Sequence, residues 1–195
     1  NFAIHQPFGR KMRCIFRAKI SGNPVHKMQK GRSFAGTAPF KERSFVACLA
    51  AAFEDAMAGI QADSTNPMSY FQAGQAAIGL EQWARADSML TRAVELYPEF
   101  EEQVIPEREQ AWVDAYNTGA EALNQGNTDR ALKYFEGADT IYQGRPEARM
   151  ALGSLYVSRG NTEAAAEAYS GALDILSGPP PEALNEEQAA GGARD

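Results

Sequence analysis

Cysteine and histidine are nearly absent. Two cysteines, Cys14 and Cys48, in 195 residues cannot build a disulfide scaffold or a four-thiolate zinc site. Two histidines, His5 and His26, leave little for a histidine-based active site. No stretch reaches the ~18 uninterrupted apolar residues of a membrane-spanning helix, so the expectation is of a chain with no transmembrane segment. There is no Gly-rich phosphate loop, no HExxH, no paired CxxC and no G-x-S-x-G elbow. The carboxylates Glu101, Glu102, Glu107 and Glu109 lack the ligand spacing of a calcium loop and read as a solvated helix face. Hydrophobic residues at 44% and charged residues at 23% are ordinary for a globular chain, which rules out collagen-like, prion-like and mucin-like compositions. These gaps together give the expectation of no enzyme, no cofactor and no metal.

Acid is scarce in one place only. Residues 1–45 set ten basic side chains (Arg10, Lys11, Arg13, Arg17, Lys19, Lys27, Lys30, Arg32, Lys41 and Arg43) against Glu42 alone, a local charge of +9. The nine basic and twenty-four acidic residues of 46–195 give −15, within an overall −6. Pro7, Gly9, Ser21-Gly22-Asn23-Pro24, Gly31, Gly36 and Pro39 break every short apolar run of the basic segment. It reads as a mostly disordered basic arm. One reading has it touch nucleic acid or an anionic membrane. Others are a targeting segment, a cloning remnant or a misplaced gene start. Opening on Asn1 rather than Met reads as a fragment or a processed chain. Phe45-Val46-Ala47-Cys48 loosely resembles a lipoprotein box, with Phe where Leu is usual and little apolar run before it; the plainer reading is the first turns of a helix.

What the sequence does have is a repeat. Gly74, Gly119 and Gly153 are each followed after twelve residues by an alanine (Ala86, Ala131, Ala165). Sixteen residues after each glycine stands a large apolar residue (Leu90, Phe135, Tyr169), and after nineteen a second alanine (Ala93, Ala138, Ala172). The last two units are offset by 34 residues, the first two by 45. Small residues on facing helices permit close approach. A large residue four after one alanine, with another alanine three further on, lies on one helical face. The spacing therefore predicts two antiparallel helices per unit. Gly126-Asn127-Thr128-Asp129 and Gly160-Asn161-Thr162-Glu163 supply a stop and a cap between them. Leu80-Glu81-Gln82-Trp83 is a weaker stop at the same place in the first unit. Pro67, Pro98, Pro106, Pro146 and Pro179 separate units.

This pattern resembles the tetratricopeptide repeat, a 34-residue helix–turn–helix. The match runs through Tyr70, Ala73, Gly74, Ala77, Ala86, Leu90, Ala93 and Pro98 in the first unit. It continues through Ala115, Thr118, Gly119, Ala122, Ala131, Phe135 and Ala138, then Arg149, Leu152, Gly153, Tyr156, Ala165, Tyr169 and Ala172. The tryptophan of the family's first helix is missing throughout, and the last two units lack the closing proline. The resemblance implies an all-α fold, an α-solenoid of three tetratricopeptide-type hairpins with the disordered basic arm ahead of it. The expected organisation is an arm at 1–45, a capping helix or decayed repeat at 46–65, three repeats at 66–178 and an acidic Pro/Ala-rich tail at 179–195. An eleven-residue insertion lies near 99–109. Eleven residues are close to three helical turns, so helices can lengthen without rotating their apolar faces. Pro106 is expected to start the long helix. Phe100, Val104 and Ile105 read as an extension of the hydrophobic seam or as a protruding contact site.

In the family, first helices line a concave surface. Carried over, its places fall on Met68, Phe71, Gln75, Ile78 and Gly79, on Val113, Tyr116, Ala120, Leu123 and Asn124, and on Glu147, Met150, Ser154, Val157 and Ser158. The candidate peptide-binding residues are Met68, Phe71, Gln75, Ile78, Val113, Tyr116, Asn117, Leu123, Met150 and Ser154. Of the clamp with which the family's chaperone adaptors hold a terminal carboxylate, only Asn117 resembles a member. The implied function is a non-catalytic interaction scaffold holding an apolar or basic peptide, with no specific nucleic acid as ligand. The alternative is recruitment to nucleic acid or an anionic membrane by the basic arm. Phe71, Tyr116 and Met150 have a plainer reading as residues packed on a neighbouring helix. Tyr169, Leu173 and Leu176 are expected to leave the last unit partly open, prone to fraying or self-association. The Ala-rich repeats resemble those of exported bacterial proteins, which leaves bacterial cytoplasm and periplasm both open.

Overall fold

The structure, a computed structural model, describes residues 38–178, and their side chains from residue 45 onward. The described residues form seven α-helices and one 3-10 turn: α1 (Ala38–Ala62), α2 (Pro67–Gly79), α3 (Trp83–Leu96), the turn Pro98–Phe100, α4 (Glu101–Asn124), α5 (Thr128–Ile141), α6 (Glu147–Ser158) and α7 (Thr162–Ser177). The chain divides into two compact units between Asp114 and Ala115, inside α4.

Each hairpin is closed by the markers read from the sequence. A Cβ placed on Gly74 would come within 2.6 Å of Leu90, one on Gly119 within 2.9 Å of Phe135, and one on Gly153 within 2.7 Å of Tyr169. The glycine thus opens room for the large residue sixteen positions on. The alanines flanking that residue (Ala86 and Ala93, Ala131 and Ala138, Ala165 and Ala172) are all buried. Burying one such Leu or Phe side chain contributes about 1.5–3 kcal/mol. The turns follow one scheme. The Gln82 amide donates to Ala77 O, that of Asn127 to Ala122 O and that of Asn161 to Tyr156 O. Asn127 and Asn161 also accept from the Arg130 and Ala164 amides, capping α5 and α7. Asn66 caps α2 by accepting from the Met68 amide, with Pro67 at the first helical position. Gln82 makes no such bond at the start of α3.

Three expectations need correction. First, α1 starts at Ala38, upstream of residue 46 and inside the stretch read as arm. Pro39 is no obstacle, because a helix's first turn has no amide to lose there. Second, Phe45–Ala62 is long and apolar enough, by length and composition, to cross a membrane. Demanding an uninterrupted run missed it, since Glu54 and Asp55 interrupt the run without spoiling its apolar average. Leu49, Ala52, Phe53 and Ala56 are buried. Leu49 lies over Gly79 of α2, Ser69 of α2 meets Gly59, and Arg85 of α3 stands over the Phe53 ring. Third, Pro106 lies within α4, which already begins at Glu101. The turn Pro98–Phe100 starts the helix earlier, and Pro106 forgoes a bond only in the second turn. The insertion therefore lengthens one helix: α4 has 24 residues, against 13 in α2 and 12 in α6.

Phe100 and Val104 are buried and Ile105 is 37% exposed, so two of the three extend the seam. Phe100 packs edge-on against Phe71 at 5.6 Å and Tyr97 at 6.0 Å. Arg108 pairs with Asp87 and donates to Thr91 Oγ1 at 2.7 Å, and Gln75 Nε2 donates to Glu107 Oε1 at 2.8 Å. These contacts fasten the added turns of α4 to α2 and α3. In the second unit, Ala122, Ala131, Phe135, Leu152 and Leu155 form the core. The basic arm before residue 38, Cys14 and the tail from 179 lie outside the described residues.

Candidate peptide-binding surface

In the first unit the candidate residues are mostly packed. Phe71 is buried against Phe100, while Met68, Ile78 and Val113 are half-buried. Gln75 is engaged by Glu107. Gly79 is exposed, although a Cβ there would come within 2.9 Å of Leu49 of α1. The packing reading, set beside the binding one for Phe71, describes its surroundings here.

In the second unit the picture differs. Tyr116 is half-buried and lies at 5.3 Å from the Phe135 ring. Asn117 is exposed. Leu123 at the end of α4 is 42% exposed, and Met150 and Val157 on α6 are 47% and 56% exposed. Ser154 lies one turn from Met150 and donates to its carbonyl at 3.2 Å; its hydroxyl is also 3.0 Å from that of Tyr169. Leu123 and Val157 hold equivalent places 34 residues apart, as do Tyr116 and Met150. Val157, named among the family's concave places, is more open than Leu123 and Met150 among the selected candidates.

A second concavity was not legible in the sequence. A cleft of about 460 Å³ is lined by Glu136, Asp139 and Thr140 of α5, Arg149, Leu152 and Tyr156 of α6, and Ala164, Glu167, Ala168 and Gly171 of α7. Arg149 Nε donates to Asp139 Oδ1 at 2.6 Å, and its Nη1 to the Gly171 carbonyl at 3.2 Å. Tyr156 Oη donates to Glu136 Oε1 at 3.0 Å. Burial first, and that bond second, push the Tyr156 hydroxyl above its ordinary pKa. These residues come from three helices at unrelated spacings, so no linear motif announces them. Among the described residues no group of His, Cys, Asp and Glu is placed to hold a metal ion, and no cysteine is a free thiol.

Hairpins built on a Gly–large–Ala scheme, capped alike and joined in series, define a helical-repeat protein. Two tetratricopeptide repeat models match the chain, over residues 68–99 and 122–191, which together cover just over half of it. The chain belongs to the tetratricopeptide repeat family, whose repeats form protein-interaction scaffolds. No curated protein matches it. Among solved structures, a crystal structure of MamA is similar at 19% identity over 92% of this chain and 89% of that one, with a TM-score of 0.31. The MamA RS-1 ArsTM double mutant is similar at 13% identity over 86% and 96%, with a TM-score of 0.33. Likenesses of this depth carry no functional inference.

Proposed function

We propose that the protein is a non-catalytic scaffold that holds an apolar or basic peptide on the first-helix face of its second unit, through Asn117, Leu123, Met150, Ser154 and Val157. The supporting observation is the exposure of Leu123, Met150 and Val157, three large apolar side chains at places that line the binding face in this family. Water-exposed Leu, Met and Val at helical spacing bury apolar area once a partner covers them. Met adapts to varied side chains. Ser154 and Asn117 offer hydrogen bonds to a peptide backbone. The −15 charge of residues 46–195 steers cationic ligands toward the repeats.

The test is affinity capture with the full chain as bait, against Leu123→Glu plus Met150→Glu checked for unchanged helicity. Partners retained by the parent and lost from the variant support the surface. Identical partner sets in both sink it. Recruitment by the basic arm rests on the +9 charge of residues 1–45. It predicts capture of nucleic acid or anionic vesicles that weakens steeply with salt and ignores the Leu123 and Met150 changes.

A further inference from the structure

The last hairpin leaves one uncharged face open. On α7, Tyr169, Leu173 and Leu176 are 38%, 64% and 63% exposed. At about 100° per residue they fall within an arc of about 60°. Thr162, Ala166, Ser170 and Ser177, all exposed, complete that face without a charge. Glu163, Glu167 and Asp174 lie about 80–180° round the helix from the strip and do not border it. In the earlier units the places equivalent to Tyr169 are filled: Leu90 is fully buried and Phe135 is 2% exposed. Phe135 shares a core with Leu152 and Leu155 of α6, the first helix of the next repeat. Asp139, 34 residues before Leu173, accepts from Arg149 of α6 at 2.6 Å. By that equivalence, the open face of α7 is the place for a following first helix.

The tail carries such a segment. Pro146-Glu147-Ala148 opens α6, with Ala148 fully buried, and Pro181-Glu182-Ala183 repeats it 35 residues on. Residues 142–146 join α5 to α6, and 178–181 leave a connection one residue shorter after α7. The repeat match over 122–191 runs through this segment, and the second unit, Ala115–Asp195, includes it. In a helix from Glu182, Ala183, Leu184, Glu187 and Ala190 share one side, and Glu182, Asn185, Glu186 and Gln188 the other. That gives the polar outer side a terminal element of a stack requires. In the Pro-Glu-Ala register Leu184 takes the place of Arg149, as Leu173 takes that of Asp139. The ion pair of one junction becomes an apolar pair at the next. We propose that residues 182–190 dock on α7 as a helix, with Leu184, Ala183 and Ala190 over Tyr169, Leu173 and Leu176, and close the end of the stack. So short a tether holds the segment at an effective concentration on the order of millimolar, which a second copy must exceed to take its place. This contact is separate from the first-helix surface proposed above.

Hydrogen exchange on the full chain tests the contact. A helix from Glu182 bonds the amides of 186–190 to carbonyls four residues back. These amides are expected to exchange at least about tenfold more slowly than an unstructured chain, whatever the protein concentration. Leu173→Asp plus Leu176→Asp, at exposed positions, brings them to within about twofold of the unstructured rate while α5 and α6 keep their protection. Leu184→Asp gives the same loss without touching α7. Unstructured rates at 186–190 in the parent chain overturn the proposal. So does protection that survives either change, which marks a helix held by its own propensity. Protection that appears only as protein concentration rises marks a second copy on the face and overturns it as well.

Discussion

Glu81 has φ 57°, in the left-handed region, where the equivalent residues of the next two repeats are Gly126 at 75° and Gly160 at 74°. A side chain there costs about 1–2 kcal/mol, and the greater freedom of glycine in the unfolded chain returns about 0.4–1 kcal/mol of that. Glu81→Gly is therefore expected to stabilise the protein by about 0.5 kcal/mol, read from the denaturation midpoint at unchanged slope. Gly126→Ala, with open space around its Cβ, is expected to lose about 1 kcal/mol from strain alone. If Glu81→Gly destabilises, the left-handed turn is not the strained element. The helix glycines make a sharper comparison. Phe135 is 2% exposed and has nowhere to go, so Gly119→Ala is expected to destabilise by about 1–3 kcal/mol through overpacking. Tyr169 is 38% exposed and its ring can swing outward. Gly153→Ala then stays within about 1 kcal/mol of neutral, helped by alanine's better helix propensity. Equal losses at the two sites would show that ring freedom does not decide the cost.

At the scale of elements, the added turns of α4 are held by aromatic packing and one charged contact. Arg108 is 17% exposed at its side chain and Asp87 38%, so their pairing is more than a fully solvated surface bridge. A double-mutant cycle of Arg108→Ala and Asp87→Ala is expected to give a coupling of about 0.5–1.5 kcal/mol. A coupling near zero would leave the holding of these turns to the packing of Phe100 and Val104 and to the other polar contacts, such as Gln75–Glu107. What the sequence disclosed and withheld is plain in these helices. Gly119, Ala131, Phe135 and Ala138 disclosed their hairpin because the close approach allows few residue types, and the same types recur at fixed spacing. Phe71 misled because its cover, Phe100, comes from an insertion with no counterpart in the other units. Periodicity marks the face a residue occupies but not what an inserted turn lays on it. The start of α1 was hidden by Pro39, which signals a break in mid-helix and a beginning in the first turn. The cleft around Arg149 draws on three helices, and only their packing assembles it.

At the scale of the molecule, the extensive helix–helix contacts among the described residues join chain neighbours: α1 with α2, α2 with α3, α5 with α6, and α6 with α7. A chain built from neighbour contacts has stability that is close to a sum over repeats and their junctions. Damage should then stay near its origin. Leu90 is fully buried in the first unit and Phe135 is 2% exposed in the second. Leu90→Ala is expected to cost about 2–5 kcal/mol and Phe135→Ala about 3–5 kcal/mol. Hydrogen exchange on the full chain separates the two effects. Leu90→Ala should speed exchange most in α2 and α3, and Phe135→Ala most in α5 and α6, each by roughly two or more orders of magnitude, since 1.4 kcal/mol is a factor of ten in the opening equilibrium. α4 is the informative element, because the division between the units falls inside it. Its first turns, tied to Phe71 and Asp87, should follow Leu90→Ala, and its last turns, packed on Phe135, should follow Phe135→Ala. If either substitution speeds exchange equally in α2 and α6, the chain unfolds as one cooperative block and the additive description fails.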